Sequence, residues 1–468
     1  MLPTIPRLSM CLCLTLGLSS SVHAVLPQQI NGHVLPSLAP MLKKVMPAVV
    51  TIAAEGSTSA LDLQLDEKLL RRFYGVPMPT PRRTQSLGSG VIVDAKKGLV
   101  LTNNHVVTKA AKITVVLHDG RKLEAKTIGT DKDSDLAVIQ IKADNLHQIA
   151  FGNSDRLEVG DFVVAIGNPF ALGHSATSGI ISGLGRSGLG SVGYEDFIQT
   201  DASINTGNSG GALVNLRGEL IGINTLIITD SDDSNQPRGN IGIGFAIPIN
   251  MANKVLTQIL TYGEVRRGLL GVNIQNLTPE LARYFKLHST DGALVASVIP
   301  KSAAELAGLR AGDVVVEVDN KPIKNANALR NTIGLMNIRQ SIKLTYWRDG
   351  RRLSSKAQLG SLLAQTQAKT QTQPTRVASV HKHLEGAHMS EIPNDSPYYG
   401  KINGVIVSQV EPNSAAANNG LSPGDLITTV NEVPVKNTAE FSKALAKHKN
   451  KVLLNVQRGD TALYIYLE

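Results

Sequence analysis

Between about Met41 and Ile249 the apolar positions come in brief β-rich runs separated by turn residues. Ile113–Leu117, the pair Asp119-Gly120 and then Lys122–Ile128 read as a hairpin, because Asp-Gly supplies the positive-φ geometry of a tight connection between twisted strands. Leu136–Ile141, Asp161–Ile166 and Leu220–Leu226 continue the pattern. Helical periodicity is confined to the edges of this region, near Leu61–Phe73 and Asn250–Leu260. About 200 residues of short strands predict paired barrels or a sandwich.

Beyond Tyr262 the chain repeats itself. Pro300, Ser302, Ala303, Ala304, Gly308, Leu309, Gly312, Asp313, Val318 and Pro322 recur, each 112 residues later, as Pro412, Ser414, Ala415, Ala416, Gly420, Leu421, Gly424, Asp425, Val430 and Pro434. Identities held in register without a gap mean two copies of one module. Each copy closes on a hairpin, around Asp349-Gly350 and around Gly459-Asp460. Between the copies, Ser361–Ser379 is rich in Gln, Thr and Ala and reads as a flexible linker.

Composition narrows the class. The 468 residues are 42% hydrophobic and 18% charged, which suits several buried cores and excludes wholesale disorder. The formal charge of +9 comes without a dense Lys/Arg run or interleaved aromatics, so it reads as an ordinary surface and not as a nucleic-acid site. Arg7, the apolar run Leu8–Leu18 and the small residues around Val22-His23-Ala24 read as a secretory signal peptide cut after Ala24. That run is shorter than the roughly 20 residues of a membrane span. Met10 stands before Cys11, where a lipoprotein signal wants a small residue. Cleavage would remove both cysteines, Cys11 and Cys13, leaving an exported chain stabilised by its cores alone. No second segment reads as membrane-spanning.

The chemistry centres on Thr206-Gly-Asn-Ser-Gly-Gly-Ala-Leu213. Gly207–Gly211 fits G-x-S-x-G, but the nucleophile elbow of α/β-hydrolases should open a helix and precede its acid and histidine. Here two strands around Arg217-Gly218 follow, and the next histidine is His288. The order His, Asp, Ser fits instead: His105 at the exit of an apolar strand, Asp135 just before another, and Ser209 in its glycine frame. A hydroxyl needs a base to take its proton, and the base needs a buried carboxylate to hold its tautomer. Asp131 and Asp133 compete with Asp135, which is preferred because it abuts an apolar strand. Gly207 lets the N–H groups of Gly207 and Ser209 point at a developing oxyanion. Gly183-Leu-Gly-Arg-Ser-Gly188 fits G-x-G-x-x-G without a following helix and reads as a mobile loop, as does Asp230–Gly244. His381-Lys-His383 lacks further ligands at metal spacing and reads as a solvated linker end, so neither metal nor cofactor is expected.

With these residues placed, the chain resembles the HtrA/Deg family of serine proteases along nearly its whole length. The motifs are Leu87–Asp94, Leu101–Val107, Ser134–Val138, Val159–Gly173, Thr177–Ser182 and Phe197–Leu213. The resemblance implies a mostly β protein: a signal peptide over 1–24, a chymotrypsin-like double β-barrel protease domain over 25–260, PDZ-like domains over 261–360 and 381–468, and a linker over 361–380. It puts the triad on His105, Asp135 and Ser209. Two modules, a cleavable signal and a short cysteine-free stretch at Ser57–Ser86 point to one branch of that family. It implies an ATP-independent periplasmic quality-control protease that degrades unfolded or misfolded polypeptides, also binds them as a chaperone, and forms trimers that assemble into larger cages. Ser203, six residues before the nucleophile, falls at the base of the S1 pocket and is not acidic. Ile204 falls at the pocket-filling position, implying cleavage after small aliphatic residues. Leu269, Leu270, Gly271 and Val272 resemble the loop that holds a peptide C-terminal carboxylate in β-augmentation. Leu384-Glu-Gly-Ala387 stands at the comparable place in the second module and matches less well. The rival readings are a holdase with a poorly formed site and a signalling protease with one substrate.

Overall fold

The computed structural model describes residues 29–30, 33–34, 37–56, 84–168, 173–189, 193–205, 207–227, 240–360, 377–378, 381–394, 396–448 and 451–468. Two closed six-stranded barrels come first. Strands β1 (Val49–Gly56), β2 (Thr84–Asp94), β3 (Leu99–Thr102), β4 (Ala110–Val116), β5 (Lys122–Asp131) and β6 (Leu136–Gln140) close in the order β1-β2-β3-β6-β5-β4. Strands β7 (Phe162–Gly167), β8 (Ser175–Arg186), β9 (Phe197–Thr200), β10 (Ala212–Asn215), β11 (Leu220–Ile227) and β12 (Gly244–Pro248) close in the same cyclic order. The choice between barrels and a sandwich is thereby settled for barrels.

The central strands are apolar on both faces because both faces are covered. Along β3, Leu99 and Leu101 point into the core shared by the barrels, while Val100 points into the first barrel's own core. Along β6, Leu136 and Val138 again face the shared core, and Ala137 and Ile139 face inward. Val164 and Ile166 of β7 meet them from the other side. Successive side chains of a strand alternate faces, so each such strand serves two cores. The expected terminal helix near Asn250–Leu260 is Ile249–Tyr262, whose Val255 and Ile259 close one end of the shared core. The helix expected near Leu61–Phe73 lies outside the described residues.

Two modules follow, each a small sheet with short helices. In the first, the edge strand Val272–Asn276 pairs on one side only, and the helix Ala326–Gly334 packs beside it. The repeat is deeper than the shared residues suggested. Asp313 and Asp425, 1% and 0% exposed, each meet one arginine in a two-pronged bond. Arg348 Nε and Nη2 reach Asp313 at 2.6 and 2.7 Å, and Arg458 reaches Asp425 at 2.7 Å through both nitrogens. The same Nη2 atoms bond the carbonyls of Gly308 and Gly420, both at 2.7 Å.

The domains are in contact. Arg267 lies over the Tyr194 ring at 3.8 Å and bonds Asp131. Asn331 Nδ2 donates to Glu195 O at 2.8 Å, so the first module's helix sits on the loop between β8 and β9. The second module packs Leu453, Ala462 and Tyr464 against Leu277, Leu281 and Leu294 of the first.

Three expectations need correction. Gly183–Arg186 belongs to β8, where Gly183 pairs with Gln199, so the front of the supposed mobile loop is sheet. The back of the second such loop, Gly244, opens β12. His381 is no solvated linker end: it is 9% exposed and caps a short 3₁₀ turn through its Nδ1.

Replacing Arg348 by Met would strand the Asp313 carboxylate in a buried site, which typically costs roughly 3–5 kcal/mol. Urea titration followed through Trp347, the chain's single tryptophan and the neighbour of Arg348, should show a clearly lowered midpoint. An unchanged midpoint would mean the pair is not holding the module together.

Candidate functional site

The cleft between the barrels gathers residues from both. His105 lies in the short helix Asn104–Val107 that follows β3, and Asp135 lies in the turn between β5 and β6. Asp135 adopts φ +54°, a left-handed conformation uncommon for a residue with a side chain. Its carbonyl is held by Asn103 Nδ2 at 3.0 Å and by the N–H of Asn104 at 3.1 Å. That twist turns the carboxylate, 6% exposed, toward His105. Oδ1 accepts the His105 backbone N–H at 2.9 Å, and Oδ2 meets His105 Nδ1 at 2.7 Å.

The electrostatics follow from that contact. A carboxylate accepts, so Nδ1 carries the proton and the Nε2 lone pair is left toward solvent. The histidine side chain is 38% exposed. Partial burial draws its pKa down, but the charge and hydrogen bond of Asp135 outweigh it, and the imidazole sits above its ordinary value of 6.5.

Ser209 stands on the turn between β9 and β10, 6% exposed, with Gly207 at φ +97° and Gly210 at φ +82° before and after it. A side chain at Gly210 would meet Ser89 O at 2.2 Å and Thr102 Oγ1 at 2.3 Å, so only glycine fits there. No helix follows; β10 does. Ser209 Oγ donates to Thr225 O at 3.3 Å. Thr225 Oγ1 in turn donates to Asp135 Oδ2 at 2.9 Å. Thr225, on β11, therefore joins the hydroxyl to the carboxylate. Nothing in Ile223-Asn-Thr-Leu226 marked it beyond strand alternation.

Ser89 was likewise unmarked by its neighbours, although it lies within Leu87–Asp94. Its N–H donates to Ser209 O at 2.8 Å, and its Oγ donates to Gly207 O at 2.6 Å and accepts the Asn168 N–H at 2.9 Å. A residue of the first barrel thus clamps the serine turn of the second on either side of Asn208. The Ser209 N–H has no hydrogen-bond acceptor among the described residues.

The competing acids lie elsewhere. Asp131, 8% exposed, is taken by Ser134 Oγ and Arg267, and Asp133 meets Arg267 Nε at 3.4 Å. Ile204 is 1% exposed within the second barrel's core, and its side chain fills the space that a side chain on Gly244 would take. Ser203 is half-buried, its carbonyl accepting from Thr177 Oγ1 at 2.7 Å. In the first module Leu269 bridges Gly360, Leu270 is buried, and Gly271 has φ +82° against Ser302. Val272 starts the edge strand, whose Gln275 side chain donates to the carbonyl and accepts from the N–H of Tyr464 in the second module. The second module's equivalent is Glu385-Gly386: Gly386, at φ +84°, lies against Ser414 as Gly271 lies against Ser302. Among the described residues no three His, Cys, Asp or Glu side chains are grouped to hold a metal ion.

Residues 88–223 match a trypsin-like peptidase domain, and residues 268–359 and 374–467 each match a PDZ domain. The chain is 43% identical to the periplasmic serine endoprotease DegP of Salmonella typhimurium, covering 98% of both chains. It is 42% identical to the periplasmic pH-dependent serine endoprotease DegQ of Escherichia coli, again over 98% of both. The branch expected from the short cysteine-free stretch is that of DegQ, and the chain is as similar to DegP as to DegQ. Among solved structures, the HtrA-type protease AlgW with a tripeptide aligns at a TM-score of 0.56 and 39% identity, covering 70% of this chain and 99% of its own. No helix among the described residues is long and apolar enough to cross a membrane. Two Greek-key barrels, a peptidase match and full-length similarity to periplasmic endoproteases lead to one conclusion: this chain is a serine endopeptidase of the HtrA/Deg family, carrying two PDZ domains.

Proposed function

We propose that Ser209 is the nucleophile, His105 its general base and Asp135 the carboxylate that orients the base. The observation that carries this is the continuous set of bonds from His105 Nδ1 through Asp135 and Thr225 to Ser209. The hydroxyl begins on Thr225 O and must rotate about χ1 to give its proton to His105 Nε2. It then attacks a peptide carbonyl, and the oxyanion forms against the N–H groups of Gly207 and Ser209. Each such donor is worth roughly 3 kcal/mol in the transition state. His105 returns the proton to the leaving amine, and water repeats the cycle on the acyl-enzyme.

Substrate selection follows from the same surroundings. Ser203 offers no anion for Lys or Arg, and Ile204 and Gly244 leave little depth, which favours small aliphatic P1 residues. These are buried in folded proteins, so the pocket would meet them in unfolded chains. Leu269–Val272 and the adjoining edge strand would capture substrate C-termini, raising their concentration near the cleft. We assign the chain to periplasmic quality control after cleavage behind Ala24, with chaperone binding of misfolded proteins and assembly as trimers and larger cages. Exposed Phe151, Val159 and Leu216 on the second barrel offer apolar surface for that assembly. The domain bounds are 25–260, 261–360 and 381–468, with 361–380 as linker.

Ser209→Ala should lose about three decades or more of casein-degrading rate, and a peptide library should show Val, Ala, Ile or Thr at P1. Equal rates would leave a holdase, and basic or aromatic P1 would reject the pocket reading. In Asp135→Asn the rate should fall by roughly four decades. The acid limb of its pH profile should also move to lower pH, because the group that raises the His105 pKa is gone. Light scattering on size-exclusion fractions of Ser209→Ala should give a trimer alone and larger particles with unfolded substrate.

A further inference from the structure

We infer that His118 and His174 form a two-imidazole site for a divalent transition-metal ion. His118 lies in the turn between β4 and β5 of the first barrel, and His174 just ahead of β8 of the second. Their Nδ1 atoms are 3.0 Å apart, and the rings meet at 65°.

The protonation pattern of His174 is set by its other nitrogen. Nε2 lies 2.7 Å from Val49 O, and a carbonyl can only accept, so Nε2 carries the proton. In the neutral ring the lone pair is then on Nδ1, aimed at His118. An imidazole that gives one N–H to a backbone carbonyl and offers its other nitrogen is the usual form of a metal-binding histidine. His118 is exposed, so its Nε2–H can be left to water while Nδ1 faces the same point.

The spacing fits a shared ion. Two nitrogens each about 2.1 Å from one cation stand about 3.0 Å apart when they bond it at right angles. The remaining positions would be water, because no third protein ligand is grouped with the pair among the described residues. Asp119, the nearest acid in sequence to His118, is engaged by Arg121 Nε at 2.7 Å. Without oxygen ligands the site does not suit Ca²⁺ or Mg²⁺, whereas two cis imidazoles with water suit Cu²⁺, Ni²⁺ or Zn²⁺. An ion held there would pin the two barrels to each other. It would also stand next to Gly173, whose N–H reaches Asn168 Oδ1 at 3.1 Å, and Asn168 leads through Ser89 to the Gly207 carbonyl.

The test is a Cu²⁺ titration of the full chain carrying Ser209→Ala, followed by electron paramagnetic resonance. One saturable ion per chain with nitrogen hyperfine structure from two imidazoles is expected. It should disappear in His118→Ala, a change at an exposed turn that leaves the fold intact by circular dichroism, and in His174→Gln. It should persist in the His381→Ala/His383→Ala double variant, which removes the other close imidazole pair among the described residues. Zn²⁺ should raise the melting temperature of the parent and not that of His118→Ala. Absence of saturable binding would mean that the two rings only share a proton, and an unchanged spectrum in His118→Ala would place the ion elsewhere; either result overturns the proposal.

Discussion

The carboxylate of Asp135 is the point on which the site turns. It is buried, and it accepts the backbone N–H of His105, the ring N–H of His105 and the hydroxyl of Thr225. The first two come from its own barrel and the third from the other. A buried carboxylate without such partners would carry a large desolvation penalty, so the fold must deliver all three. Meeting that demand brings the barrels into one register, and Thr225 then presents its carbonyl to Ser209.

Ser89 answers from the opposite direction. Where Thr225 carries the second barrel to Asp135, Ser89 carries the first barrel to the Ser209 turn, bonding the carbonyls of both Gly207 and Ser209. The Gly207–Gly210 turn is therefore fixed by its partner barrel as much as by its own glycines. A second link joins the site to the first PDZ domain. Arg267, two residues before Leu269, grips Asp131 and Asp133 at the start of the turn that ends in Asp135. The Leu269–Val272 loop and the turn that holds Asp135 are thus braced through one guanidinium that also stacks on Tyr194.

Much of this could be read along the chain. The Asp119-Gly120 hairpin, the strands at Leu136, Phe162 and Leu220, and the repeat at a spacing of 112 residues all rest on local patterning. The acid was less legible. Asp135 was preferred for its expected burial, yet Asp131 is nearly as buried, at 8% against 6%. What separates them is the partner each meets: Arg267, more than a hundred residues away, occupies Asp131, and His105 faces Asp135. His381 was misread for a related reason, because its burial comes from the module folding around it and not from its neighbours in sequence.

The sequence by itself determined the periodic elements, the duplicated module, the glycine-framed serine and the order of the three candidate groups, since each depends on residues close together or on simple repetition. The tertiary structure alone decided that the strands close into barrels and which acid faces the histidine. It alone brought in Thr225 and Ser89 as the bridges between barrels, and set His118 against His174. Those outcomes depend on hydrogen bonds and contacts between distant segments, whose directions exist only once the backbone has been brought round to meet itself.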